Sequence, residues 1–201
     1  MADIVIPCDT VVRLMNVLHN LPSDIAPPFR CIRLDNGLAV ASDRKFMAIE
    51  KIAAFEGVFY IKPDQALIDQ CRTEAAFSSN LTITVNEMLR YTVAKSALGY
   101  VHPANIGVWH DESDFDKWRS VVMRCKEPAG ANRGGMFWDA DGIARLASAS
   151  PSGAVVFEDI IDVSRPTLIR DVHDYNWLGV FNPWSTEQSA APAKLPSWMV
   201  D

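Results

Sequence analysis

The chain has 201 residues, a formal net charge of −6 and 49% apolar residues. That length holds one large domain or two small ones around a real core. The acidic balance excludes a protein that coats nucleic acid over its whole surface, but it leaves room for a local basic stripe.

Four widely spaced cysteines, Cys8, Cys31, Cys71 and Cys125, form no Cys-x-x-Cys pair. They read as reduced, packed thiols rather than as a zinc site or a disulfide framework. No apolar run approaches the ~18 residues that span a bilayer. The N-terminal residues lack the positive and apolar regions of a signal peptide. The expectation is a cytoplasmic protein with no membrane partner.

In chain order, Ile4-Val5-Ile6 reads as a short strand, and Pro7-Cys8-Asp9 as a corner into a helix that runs to about Asn20. Val11, Leu14, Met15 and Leu18 recur at helical spacing on one face, and Asp9 or Thr10 is placed to cap. Pro22 to Pro28 is a loop. Cys31–Leu34, Leu38–Ala41 and Phe46–Ile49 form an antiparallel meander, its first turn made by Asp35-Asn36-Gly37, residues that tolerate positive φ.

The pattern then repeats. Val58–Ile61 is a strand, Lys62-Pro63-Asp64 a second corner, and a helix follows to about Ala75 with Leu67, Ile68 and Cys71 inward. Leu81–Val85, Met88–Val93 and a bent strand within 98–108 make the second meander. Residues 111–127 read as an amphipathic helix with Phe115, Trp118, Val121, Val122 and Cys125 on one arc and Lys117, Arg119, Arg124 and Lys126 at its edges. Pro128–Gly135 is a linker. A third unit opens at Met136-Phe-Trp138, enters a helix carrying Ile143, Leu146 and Ala147, and ends in strands near 154–157, 167–170 and 177–181. The tail beyond Ser185 is rich in Ala, Pro and Ser but carries Leu195, Trp198 and Met199. Such residues on an extended tail imply docking onto a surface, its own or a partner's.

The fold class is therefore α+β, built from repeated strand–helix–antiparallel meander units with the helices on one face of the sheets. The expected domains are 1–118 with two units, 119–185 with a shortened second domain, and 186–201 as the tail. No Gly-rich phosphate loop, His-Glu-x-x-His or Gly-x-Ser-x-Gly motif occurs, so an enzyme is not supported and no cofactor is expected. His102 and His110, with Asp111 and Glu112, are a conceivable metal set, but loop histidines beside acids are ordinarily just solvated.

At this point the chain resembles the DNA polymerase sliding clamps of the bacterial β type. The resemblance rests on Asp35-Asn-Gly-Leu-Ala-Val-Ala-Ser-Asp43, Phe59 to Asp69, Asp114-Phe-Asp-Lys-Trp118, Phe137 to Leu146, Ser164 to Arg170, and Trp177-Leu-Gly-Val-Phe-Asn-Pro183, in that order and spacing. It implies a DNA-clamp fold and a homo-oligomeric ring; three units per chain would need four chains for the twelve units of known rings, and four units, if the 111–127 helix is a degenerate unit, would need three chains. It further implies a processivity role in DNA replication, of phage or mobile-element origin.

By the same resemblance, Arg13, Lys62, Arg72 and Arg145, with Lys117 and Arg124, would touch the backbone of duplex DNA without sequence preference. A DNA polymerase or other replication protein would dock in an apolar groove around Val180, Pro183 and Trp184. The helices carry Arg13, Lys62, Arg72 and Arg145 against Asp9, Asp64, Asp69, Glu74, Asp139 and Asp141, and this acidic balance favours a second reading. In that one, a clamp-fold interaction module without a ring uses the groove, or the tail residues Leu195, Trp198 and Met199, to hold its partner.

Overall fold

The computed structural model describes residues 2–18, 21, 27–86, 91–96, 101–103, 117–125, 140–158 and 166–181. Strand β1 (Ala2–Pro7) buries Ile4 and Ile6 and exposes Val5, as its alternation requires. Helix α1 (Cys8–Val17) buries Cys8, Thr10, Val11, Leu14 and Val17. It stops short of Asn20, and no side chain caps it, because the residue before it is Pro7. The Asp9 carboxylate, expected to cap, pairs instead with Arg13 one turn on.

A 3₁₀ turn (Pro27–Arg30) leads into the meander β2 (Ile32–Asp35), β3 (Leu38–Ser42) and β4 (Phe46–Lys51). Asn36 and Gly37 both have positive φ, 49° and 82°, which is the primed turn that matches strand twist. The second unit is β5 (Val58–Ile61), α2 (Gln65–Ala75), β6 (Asn80–Asn86), β7 (Tyr91–Ser96) and β8 (Val101–Pro103). Here the corner does cap: Leu67 N–H donates to Asp64 Oδ1 at 2.8 Å.

Helix α3 (Trp118–Arg124) follows, and the expected domain boundary at residue 118 falls on its first turn. Then come α4 (Ala140–Ala149), β9 (Val155–Glu158), β10 (Thr167–Asp171) and β11 (Trp177–Phe181). The third unit's opening strand at 136–138, the linker at 128–135 and the tail from 182 lie outside the described residues.

Pairing between units, which no local pattern reveals, organises the whole. Units one and two exchange their opening strands: β1 pairs with β6, and β5 pairs with β2. The result is a four-stranded sheet, β1-β6-β7-β8, and a seven-stranded sheet, β5-β2-β3-β4-β11-β10-β9. The third unit joins the first through the antiparallel β4–β11 pair, from Phe46↔Phe181 to Glu50↔Trp177.

Helices α2, α1 and α4 lie side by side with α1 in the middle. Their apolar faces share one core with both sheets, including Leu14, Leu67, Leu146, Phe46, Trp177 and Phe181. Gly142 lets α4 sit on the Phe46 ring, since a Cβ there would come within 1.6 Å of Phe46 Cζ. Helix α3 is the exception to the one-sided arrangement. It packs Trp118, Val121 and Val122 with Cys31, Val40, Met47 and Ile49, on the opposite face of the seven-stranded sheet.

Candidate functional site

Two regions bear on function: the layer of three helices, and the space between α3 and the outer sheet face. In the helix layer, Arg13 is committed to its own fold. Its guanidinium reaches Asp9 Oδ2 at 2.6 Å and Glu50 Oε1 at 2.5 Å, while Thr10 Oγ1 donates to the same Glu50 oxygen at 2.7 Å. Burial pushes the Glu50 carboxyl up even against that guanidinium. Sequence reasoning missed Glu50; the available signal was a lone acid ending the apolar run Met47-Ala48-Ile49 of β4.

Arg145 is likewise occupied. It bonds Asp43 Oδ2 at 2.8 Å and stacks on Phe46, 5.2 Å from the ring centre. Asn16 Nδ2 adds a bond to the Ser148 carbonyl, so these contacts clamp α4 to the first unit. Arg72 is exposed and pairs with Asp69 at 2.9 Å, and Lys62 is exposed just after β5. Lys117, just before α3, and Arg124, its last residue, are both exposed and lie across the sheet from the helix layer. The six sequence-chosen cations therefore do not share one surface. Arg13, Arg72 and Arg145 sit in a common layer, and each has an acidic partner there.

The outer face carries a groove of about 570 Å³ beneath α3. Leu38, Ile49, Trp118, Val122 and Leu178 make its walls. Lys51, Arg119 and Arg170 line it too, and no acidic side chain does among the described residues. Met123 and Tyr175, both well exposed, stand at it.

One buried carboxylate positions α3 over this groove. Trp118 Nε1 donates to Asp35 Oδ2 at 3.1 Å, Arg119 reaches Asp35 Oδ1 at 3.0 Å, and Arg33 Nε donates to Oδ2 at 3.2 Å. Burial alone would raise the Asp35 carboxyl, but the bonds from Arg119, Trp118 and Asn36 outweigh it and hold it below the usual range. Of the predicted partner residues, Val180 is buried in the outer-face core at 2% exposure. It sits away from the groove, which uses the other end of β11 at Trp177 and Leu178. Pro183, Trp184, Leu195, Trp198 and Met199 lie outside the described residues, as do His110, Asp111 and Glu112.

The cysteines are packed as expected, none of them in a disulfide and three fully buried. Burial pushes the Cys31 thiol up to about 11, which makes it unreactive. No group of metal ligands occurs among the described residues, and none of their helices is long and apolar enough to cross a membrane.

This architecture has clear counterparts among solved structures. The DNA polymerase III subunit beta from Pseudomonas aeruginosa superposes with a TM-score of 0.57 at 10% identity, over 92% of this chain and 66% of that one. A C. crescentus beta sliding clamp gives 0.58 at 12% identity, over 91% and 66%. The chain has the fold of the bacterial sliding clamps. It spans about two thirds of the length of those clamps. No protein-family model matches the sequence, and no curated protein matches it.

Proposed function

We propose that this chain is a clamp-fold replication accessory protein that assembles with copies of itself into a ring around duplex DNA. On this reading it holds a protein partner in the groove beneath α3. One observation carries the proposal: the seven-stranded sheet runs without a break from the first unit into the third, with their helices in one layer. Units that join edge to edge in this way can continue into a closed band, and closure removes exposed strand edges. Three units per chain then call for four chains. A polymerase or another replication protein would present an apolar peptide segment with carboxylates to the groove, whose charged lining is entirely basic.

The DNA contacts are nonspecific and few. Lys62 and Arg72 are the helix-side cations exposed enough to meet phosphates, while Arg13 and Arg145 are held by Glu50 and Asp43. Retention would then be topological more than electrostatic, with a shallow salt dependence. Light scattering at low salt, with and without a duplex, tests this directly. A closed oligomer that stays on circular DNA and slides off linear DNA is the expected outcome; a monomer indifferent to both would sink the ring.

The charge balance of the helix layer supports a second reading, a clamp-fold interaction module without a ring. It would bind its partner through the groove or through the tail with Leu195, Trp198 and Met199. Deleting residues 186–201 separates these routes. Partner binding vanishes if the tail is the ligand segment, and survives if the groove is.

A further inference from the structure

We propose that Cys8 and Cys71 are a redox-active dithiol, which a small peroxide converts to a disulfide that ties α1 to α2. Cys8 opens α1 and Cys71 lies in the middle of α2, and the two helices pack side by side. The Cys8 N–H donates to the Ser79 carbonyl at 2.9 Å, which pins the start of α1 to the segment that follows α2. Both side chains are buried in the shared core, at 1% and 0% exposure. There the two sulfurs meet, and the Cys71 thiol donates a hydrogen bond to the Cys8 sulfur.

A third buried group belongs to the same place. Glu74, one turn after Cys71 on α2, is fully buried, and its charge acts on both thiols. Gln70 Nε2 donates to its Oε1 at 2.5 Å, but its Oε2 has no hydrogen-bond partner. A buried polar atom left in that condition is rare and calls for a reason. Disulfide formation in the core supplies one, because the protons of two thiols must leave and Oε2 can accept one. The other cysteines are set differently. Burial pushes the Cys31 and Cys125 thiols up. Cys8 is held below the ordinary thiol value, since the bond from Cys71 outweighs burial and the charges of Glu74 and Asp9. Its place at the start of a helix favours the thiolate as well. Cys8 is thus the nucleophile, and Cys71 is the thiol that resolves it.

The reaction balances with peroxide as the oxidant. The Cys8 thiolate attacks one peroxide oxygen and the O–O bond breaks. Hydroxide leaves and becomes water with the proton that Cys8 gave up, and Cys8 is then a sulfenic acid. The Cys71 sulfur attacks the Cys8 sulfur next. Its proton passes through Glu74 to the departing hydroxide, and a second water leaves as the S–S bond forms. Two electrons pass from the thiols to the peroxide. The bond joins the first unit to the second beside the β1–β6 pair, so it locks the exchange of opening strands. It concerns these two units alone and stands whether or not a ring closes.

The test uses the full chain and hydrogen peroxide. Peptide mapping by mass spectrometry without reductant recovers the Cys8 and Cys71 peptides joined and short of two hydrogens, with Cys31 and Cys125 still thiols. Oxidation spread evenly over the cysteines, or Cys8 carried on to sulfinic acid beside a Cys71 thiol, overturns the proposal. The oxidised chain melts roughly 5–15 °C above the reduced one, and dithiothreitol reverses the shift. A lower midpoint means that the sulfurs join only by forcing the helices apart, and overturns it. Glu74→Gln lengthens the life of the Cys8 sulfenic acid, read by dimedone trapping, by about a hundredfold. A merely structural Glu74 would leave that lifetime unchanged, and such a result overturns its part in the proton transfer.

Discussion

The two faces of the seven-stranded sheet are covered in different ways. On the inner face three helices of ten or eleven residues share one continuous core with both sheets. Buried ion pairs, Arg13 with Glu50 and Arg145 with Asp43, hold the layers in register. On the outer face the described residues place one seven-residue helix, α3, held by the Trp118 ring and by bonds that converge on one carboxylate, Asp35. A helix that short has little stability of its own. The inner face is thus the more firmly fixed of the two, and the outer face is the one that a few broken bonds can open.

The largest effect should come from the inner face. Gly142→Ala forces a methyl into the Phe46 ring and should destabilise by about 3 kcal/mol or more; urea denaturation would show the midpoint falling. A loss below about 1 kcal/mol would mean that α4 is free to slide. Next, Arg13→Met leaves Glu50 buried without its guanidinium and should cost about 3–5 kcal/mol, with Arg13→Met/Glu50→Leu recovering most of it.

On the outer face the effects are smaller and local. Trp118→Phe keeps the ring but removes the donor to buried Asp35, at about 1–3 kcal/mol. It should raise hydrogen exchange in α3 while leaving α1 and α4 unchanged. The same carboxylate gives α3 a pH dependence. Asp35 titrates lower in the folded chain than in the unfolded one, so its contribution is complete above the unfolded value, near 4, and is lost as pH falls through the folded value. Acid should release α3 before the inner layer, and Asp35→Asn should remove that step. The smallest effect belongs to the exposed Arg72–Asp69 pair. Arg72→Ala should change stability by less than about 0.5 kcal/mol, so any loss of DNA retention in that variant reports contact with DNA.

Much of this was legible in the sequence, and the division is physical. Strand alternation, the Asn36-Gly37 turn, the Lys62-Pro63-Asp64 corner and the order of units are local properties, and they fell within a few residues of where they were read. The α1 end and the supposed Asp9 cap were misplaced, because Asp9 had a better partner in Arg13. Which strand pairs with which was not legible, since β1 and β6 satisfy the same alternation whether or not they meet. For the same reason the basic residues were chosen without their partners. Arg145 and Asp43 are 102 positions apart, and only the fold brings them together. The side on which α3 packs was equally hidden, and with it the groove.

The exchange of opening strands also sets a timetable for synthesis. Ala2 to Pro7 leave the ribosome well before their strand partners, Asn80 to Val85. At about 5–20 residues per second, those first residues wait roughly 4–16 s for a strand to pair with. Throughout that interval Ile4 and Ile6, fully buried in the finished protein, are an exposed apolar edge. Strand β1 is therefore among the last parts of the first two units to be locked, and needs protection until then.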